Sequence, residues 1–160
     1  MSQKLINTFI LQLDQNWNEE DWIVPLSVAL EGLTPAQAAW KPAEGCSSIR
    51  QLVNHINYYN TRTLNRLRGE TLVGNAATND ESFGDAGDPG DAEGWERTVR
   101  ETESIYRSLR AEIAGLQDEA LEAIGQSGMT LGDFLSIWIA HDGYHSGQIV
   151  LLRKMQGCWR

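Results

Sequence analysis

The chain has 160 residues and a formal net charge of −9 at pH 7. This length can bury the core of one domain, so we expect residues 1–160 to form a single domain. The acidic charge disfavours nucleic-acid partners, which need a basic face, and no apolar run reaches the ~18 residues that cross a membrane.

The first third of the chain predicts short helical stretches. Apolar residues recur at helical spacing at Leu5, Ile6, Phe9, Ile10 and Leu13. A polar stretch over 14–21 interrupts this pattern, and residues 22–33 resume it, with Pro25 tolerable only in a first turn. Thr34-Pro35-Ala36-Gln37 is a capping box with proline at the first helical position, so a short helix should follow and end at Lys41-Pro42.

A second capping box, Ser48-Ile49-Arg50-Gln51, opens a long helix that carries His55. The apolar stripe of this helix passes through Ile49, Leu52, Val53, Ile56, Asn60, Thr63 and Leu67. His55 lies beside the stripe, on the side of Leu52 and Tyr59. We therefore expect His55 at the edge of the core, near a groove.

Residues 70–94 predict a long acidic, glycine-rich loop. The segment contains seven acidic residues and no Lys or Arg, and its glycines and Pro89 disfavour both helix and strand. The spacing of its aspartates does not match the calcium-binding loop of an EF-hand. Two interpretations remain, a solvated linker, which the composition favours, and a lid over a site.

The last part of the chain again predicts helices. Residues 95–116 show a clean apolar stripe, 117–124 form a short helical piece, and a long helix runs from about Thr130 to Met155 before Gly157. Strand patterns are nearly absent. Four main amphipathic helices predict an all-α fold, a four-helix bundle with the acidic loop between its second and third main helices.

The three histidines are placed where one metal ion could bind them. His141 and His145 are four residues apart on the last helix, so they stack on one face. They share a stripe with Leu131, Phe134, Trp138, Ile149 and Leu152, so they belong to the core face. A buried imidazole needs a partner, and a third histidine on another helix makes a transition metal a good one. The alternative is two packed histidines bonded to backbone carbonyls and an unrelated surface histidine.

The residue types also limit the metal and its chemistry. Three neutral imidazoles suit zinc, nickel, copper or iron better than magnesium or calcium. Three protein ligands leave a position for water or substrate, as in catalytic zinc sites. A metal-bound water or thiol is therefore the expected reactive group, and no protein nucleophile is assigned.

Several neighbours of the histidines are candidates for lining or orienting the site. Asp142 either orients a histidine or a bound water, or carries surface charge. Gln148 and Tyr59 lie about a turn from predicted ligands, although Tyr59 more often packs in a core with a polar tip. Trp138 is expected to fill the core.

The two cysteines fit no Cys-x-x-Cys motif. We expect Cys46 and Cys158 to be free thiols in a cytoplasmic protein, with one disulfide as the alternative. Cys46 precedes a helix N-terminus, where a thiol pKa can fall, but a buried structural cysteine is the favoured interpretation. The segment after Lys4 is broken by polar residues and does not fit a signal peptide.

Two segments carry a resemblance to a known family. SSIRQLVNHINYYNTRTLNRLRG and TLGDFLSIWIAHDGYHSGQIVLLRK, with ALEGLTPAQAAWKP before them, resemble the DinB-like, or YfiT-like, metal-binding four-helix bundles. The resemblance runs from about Trp22 to Met155. It implies a metal-binding triad of His55, His141 and His145, with nickel, zinc or a similar ion. It also implies a small bacterial cytoplasmic protein, often a homodimer.

The resemblance and the residues leave two classes of function open. Characterised proteins of this type include thiol S-transferases that use low-molecular-weight thiols, so the first class is a metal-dependent thiol S-transferase or hydrolase acting on a small molecule. The second class is a metal-binding or stress-associated bundle without catalysis. An enzyme requires an open metal position that faces a pocket, whereas a binding protein would have a closed site. Six tryptophans exceed what a small core readily uses, which also favours a homodimer.

Overall fold

The computed structural model describes residues 3–72, 76–125 and 128–160, and every regular element in those ranges is helical. The six α-helices are α1 (Lys4–Trp17), α2 (Leu26–Leu30), α3 (Pro35–Ala39), α4 (Ile49–Arg68), α5 (Ala92–Ala114) and α6 (Leu131–Met155). Two 3-10 turns cover Asp80–Phe83 and Asp118–Glu122. A single isolated β-bridge joins Ile124 and Thr130 within these ranges.

The four long helices, α1, α4, α5 and α6, form the bundle that the sequence predicts. Helix α4 packs between α5 and α6, and α1 packs between the same two helices from the other side. The short helices cover the bundle, α2 on α6 and α3 on α4. This order makes α4 and α6 direct neighbours, so a side chain of α4 can meet side chains of α6.

Both predicted capping boxes form. The hydroxyl of Thr34 accepts a hydrogen bond from the Gln37 amide, and that of Ser48 accepts one from the Gln51 amide. In each box the glutamine side chain in turn accepts from the amide of the cap residue. These bonds satisfy main-chain donors that a helix start leaves free, and they fix where α3 and α4 begin.

The helix expected over residues 22–33 is much shorter than predicted. Only Leu26–Leu30 is helical, and Pro25 stands before it with a φ of −69° and an extended ψ of 153°. Proline cannot continue a helix from the preceding residues, so the apolar side chains before it lie in irregular chain. Trp22 is 92% exposed as a result. The predicted piece over 117–124 is likewise a 3-10 turn instead of an α-helix.

The buried face of α6 includes much of the predicted stripe and extends to one side of it. Trp138, His145, Ile149 and Leu152 are buried as predicted. Leu135, Ile139, Asp142 and Ser146 are buried, whereas the imidazole of His141 is only partly covered. Asp142 and Ser146 are polar, so hydrophobic periodicity does not mark them as core positions. Both have partners inside the protein, which removes most of the penalty for burying them.

The acidic loop follows α4 as expected, and residues 73–75 of the predicted loop lie outside the described residues. It ends earlier than predicted, because α5 begins at Ala92, and part of it packs on the bundle. The turn at 80–83 lies against α4, and Ser82 is 5% exposed. The side-chain amide of Gln51 donates to the Gly84 carbonyl at 3.0 Å, and that of Asn54 donates to carbonyls of the same segment. The solvated-linker interpretation is therefore wrong for this stretch.

Both cysteines are free, as predicted. Cys46 is exposed, so the expectation of a buried structural cysteine is wrong. It lies in the irregular segment before α4, two residues ahead of the Ser48 cap, where no element covers it.

Across the described parts of the chain, no helix is both long and apolar enough to cross a bilayer.

The two capping boxes give a matched stability test. Ser48 is fully buried and its hydroxyl also donates to the Ala86 carbonyl at 3.3 Å, whereas Thr34 is exposed. We expect Ser48→Ala to lower the free energy of unfolding by about 1–2 kcal/mol, and Thr34→Ala by less than about 1 kcal/mol. Urea denaturation measures both. Equal losses would show that burial of the Ser48 cap adds nothing.

Candidate metal centre

The three histidines meet where α4 and α6 face each other. The Nε2 atom of His141 lies 3.0 Å from Nε2 of His55 and 3.1 Å from Nε2 of His145. His55 and His145 are buried, at 2% and 6% exposure, and the side chain of His141 is 30% exposed. Each residue offers one ring nitrogen, and these nitrogens lie within 4.8 Å of one another, so the group could hold a metal ion.

The other ring nitrogen of each histidine, Nδ1, contacts an oxygen atom. Nδ1 of His145 lies 2.6 Å from Oε1 of Gln148, and Nδ1 of His141 lies 3.3 Å from Oδ1 of Asp142. Amide and carboxylate oxygens only accept hydrogen bonds, so both imidazoles carry their proton on Nδ1.

His55 is held in the same tautomer by the acidic loop. Its Nδ1 lies 2.6 Å from the Ser82 hydroxyl, which itself donates to the Asn79 carbonyl. Because the hydroxyl proton is used in that bond, Ser82 accepts from His55. All three Nε2 atoms therefore present a lone pair to the same point, which is the state of imidazole that binds metals.

A buried network supports Asp142 from behind. The hydroxyl of Tyr106 and the side-chain amide of Asn60 both donate to Oδ2 of Asp142, the latter at 2.8 Å. Trp138 donates from Nε1 to Oδ1 of Asn60 at 2.6 Å. Burial first, and then the adjacent Asp142 charge, raise the pKa of Tyr106 well above its usual value, so the hydroxyl stays protonated as a donor. Asp142 is buried and so does not carry surface charge.

Aromatic side chains enclose His55. The ring of Phe83 stacks on it with centroids 4.0 Å apart and an interplanar angle of 15°. Tyr59 meets it edge-on at 4.9 Å, and the Tyr59 hydroxyl donates to Oδ1 of Asn79 at 3.0 Å. The turn at 80–83 thus contributes both a hydrogen-bond acceptor and a stacked ring to the site.

Burial favours the neutral form of two imidazoles, those of His55 and His145, by lowering the pKa of each. Desolvation, with the neighbouring imidazoles as a second cause, lowers the pKa of His55 to about 4. Desolvation also lowers the pKa of His145, against the opposing effect of its hydrogen bond to Gln148. Ligands must be deprotonated to bind a metal, so at neutral pH these two histidines already have the required form.

The site opens on the side of His141. A cleft of about 310 Å³ adjoins this imidazole, and its walls come from both long helices and the loop before α6. The lining residues are Tyr59, Thr63, Asn79, Met129, Phe134, Ile137, Trp138 and His141. The cleft lies on the Tyr59 side of α4, as expected, but His55 does not line it, because Phe83 and Ser82 cover its ring.

The spacing of the Nε2 atoms suits ligands of one metal ion better than it suits neutral imidazoles in contact with one another. Two nitrogens that share one ion at about 2.0–2.1 Å lie roughly 3 to 3.4 Å apart, close to the observed separations of 3.0 and 3.1 Å. Without a cation or an extra proton between them, such lone pairs repel. Imidazole nitrogens suit zinc or nickel, and hard ions such as magnesium and calcium prefer oxygen.

Sequence reasoning identified some of these contacts and missed others. The three candidates named from the sequence, Asp142, Gln148 and Tyr59, each contact a histidine. The sequence analysis did not identify Ser82 or Tyr106 as part of the site. A polar residue within an apolar stripe, Asn60, was the one available sign of a buried network on α4.

The lowered pKa values predict acid sensitivity of the metal-free protein. In the unfolded chain His55 takes up its proton near pH 6.5, but in the fold only near pH 4. The unfolded state binds more protons between these values, so stability should fall as pH drops from about 6.5 to 4. Denaturant unfolding at stepped pH measures this. His55→Gln should flatten the dependence, and an equally steep curve in that variant would contradict the assignment.

Comparison with known proteins places this geometry in a family. The profile of the DinB superfamily matches residues 24–149, a range that includes all three histidines. No curated protein matches the chain. DinB-like proteins are metal-binding, and their helical bundle agrees with the fold described above. The match covers most of the chain and confirms the resemblance seen in its motifs, so this protein belongs to the DinB superfamily.

Proposed function

We propose that the chain binds one divalent transition metal, nickel or zinc, through His55, His141 and His145. We further propose that it uses the ion in a thiol S-transferase or hydrolase reaction on a small molecule. The observation that carries the proposal is the convergence of three Nε2 lone pairs, at 3.0 and 3.1 Å along two sides, while every Nδ1 proton is engaged elsewhere. A divalent cation at that point relieves the repulsion between the lone pairs.

His55, His141 and His145 would hold the ion, and its charge would lower the pKa of a water or thiol at the site. The protein's own groups do the orienting. Asp142, Gln148 and Ser82 each hold one imidazole through Nδ1, which fixes both the tautomer and the ring direction. Phe83 and Tyr59 exclude water from the buried side.

The cleft favours an enzyme over a non-catalytic metal-binding or stress-associated protein. A closed site would leave no room for a substrate, whereas here His141 is partly exposed to a cleft of about 310 Å³. Small-molecule sites span roughly 300–1,000 Å³, so the volume suits one small substrate. Incubating the nickel- and zinc-loaded protein with several cellular thiols and electrophiles, and measuring thioether formation and hydrolysis separately, would identify the reaction.

We also propose that the protein forms a homodimer through the outer face of α6. Tyr144, Leu151 and Met155 lie on one side of this helix at spacings of seven and four residues, and they are 64%, 58% and 56% exposed. Gly147 lies between them with open space above it. A self-complementary apolar face suits a two-fold pair, the commonest assembly of identical chains.

Removing one ligand should abolish metal binding. We expect His145→Ala to lose measurable affinity for zinc and nickel, and Gln148→Ala to weaken it by about 10–100-fold, because Gln148 orients a ligand without being one. Ser136→Ala is the matched control, since Ser136 lies on the same helix as His145 but is exposed, and its hydroxyl donates to the Gly132 carbonyl instead of contacting the histidines. Isothermal titration measures affinity and circular dichroism confirms that the helices remain. Unchanged zinc affinity in His145→Ala would exclude this site.

A charge on the exposed face of α6 should separate the dimer. We expect Leu151→Lys to be monomeric at micromolar concentration. Leu11→Lys makes the same change at an equally exposed leucine of α1, 54% exposed, and should leave the dimer intact. Size-exclusion chromatography with light scattering measures the mass. A wild-type protein that is monomeric under these conditions would rule out the assembly.

A further inference from the structure

The cleft beside His141 is lined mainly by apolar side chains. Met129, Phe134, Ile137 and Trp138 give it an apolar lining on the α6 side, and Tyr59 closes the α4 side. Two polar groups of these walls are already engaged, since the Tyr59 hydroxyl donates to Asn79 and the Trp138 ring nitrogen donates to Asn60. Thr63, Asn79 and His141 also line the cleft, but most of its wall is apolar, so an apolar ligand group is favoured there.

We propose that this cleft binds an uncharged apolar group, about one ring with a short chain, on the substrate that meets the open side of the histidine cluster. The inference rests on the proposed function, because it is the adjacency to His141 that makes the cleft a substrate site. An apolar cavity of about 150 Å³ holds one benzene molecule, so the cleft of about 310 Å³ accommodates a ring and several further carbons.

The position of the cleft next to His141 supports its interpretation as a substrate site and not as a gap in the packing. The other sides of the cluster are closed by Phe83, Gln148 and Asp142, so His141 is the only one of the three imidazoles that lines a cavity among those described. Ile137 stands at the mouth with 58% of its surface exposed. An isoleucine so exposed contributes little to the core, and a bound apolar group would cover it.

Binding of an unreactive probe tests the cleft separately from the metal. The probe is 4-phenyl-1-butanol, with 1,6-hexanediol as a polar comparison, titrated calorimetrically into metal-free and zinc-loaded protein. We expect one site for the phenyl compound and at least tenfold weaker binding of the diol. Ile137→Glu and Met129→Glu, which each place a charge in the apolar lining, should each weaken binding of the phenyl compound at least tenfold, whereas Ile137→Leu should change it less than threefold.

The outcomes separate the two proposals. Probe binding that is lost in both glutamate variants supports the cleft even if zinc does not bind, in which case the proposed metal function fails alone. Zinc binding in a protein whose probe affinity is absent, or unchanged by both glutamate variants, overturns the cleft and leaves the metal site. Equal affinity for the diol would overturn the apolar specificity.

Discussion

The site depends on one electrostatic constraint, the convergence of three imidazoles in which Nε2 of His141 lies 3.0 Å from that of His55 and 3.1 Å from that of His145. Each Nδ1 proton is directed outward to an oxygen acceptor, on Ser82, Asp142 or Gln148. The inward lone pairs then repel one another in a region where little water enters to screen them. Such an arrangement is unfavourable by itself and becomes favourable when a cation occupies the centre, so the fold holds in advance the geometry that a metal requires.

The rest of the bundle keeps these nitrogens in position. Helices α4 and α6 are direct neighbours, so His55 on one meets the pair on the other. Behind the pair, Tyr106 and Asn60 satisfy the buried carboxylate of Asp142, and Trp138 in turn satisfies Asn60. A buried carboxylate without these donors would be strongly destabilising, so the network links the packing of α4, α5 and α6 to the direction of one imidazole.

The sequence predicts the elements of this structure better than their contacts. Capping boxes and the four-residue spacing of His141 and His145 are local, and local rules suffice for them. Hydrophobic periodicity placed Trp138 and Ile149 correctly on the buried face of α6 but left out Asp142, because that core residue is charged. The contact between Ser82 and His55 joins residues 27 apart in the chain, through a loop whose composition indicates solvent exposure. Such contacts follow from tertiary packing, which no local pattern contains.

Anomalous diffraction from crystals of the zinc-loaded protein tests the central claim most directly. The account predicts one strong peak at the zinc edge, with Nε2 of His55, His141 and His145 each at about 2.0–2.1 Å and the Nδ1 contacts to Ser82 and Gln148 retained. A peak bound by only one of these histidines, or through Nδ1 atoms, would contradict it. So would a fully loaded crystal whose zinc lies elsewhere on the protein.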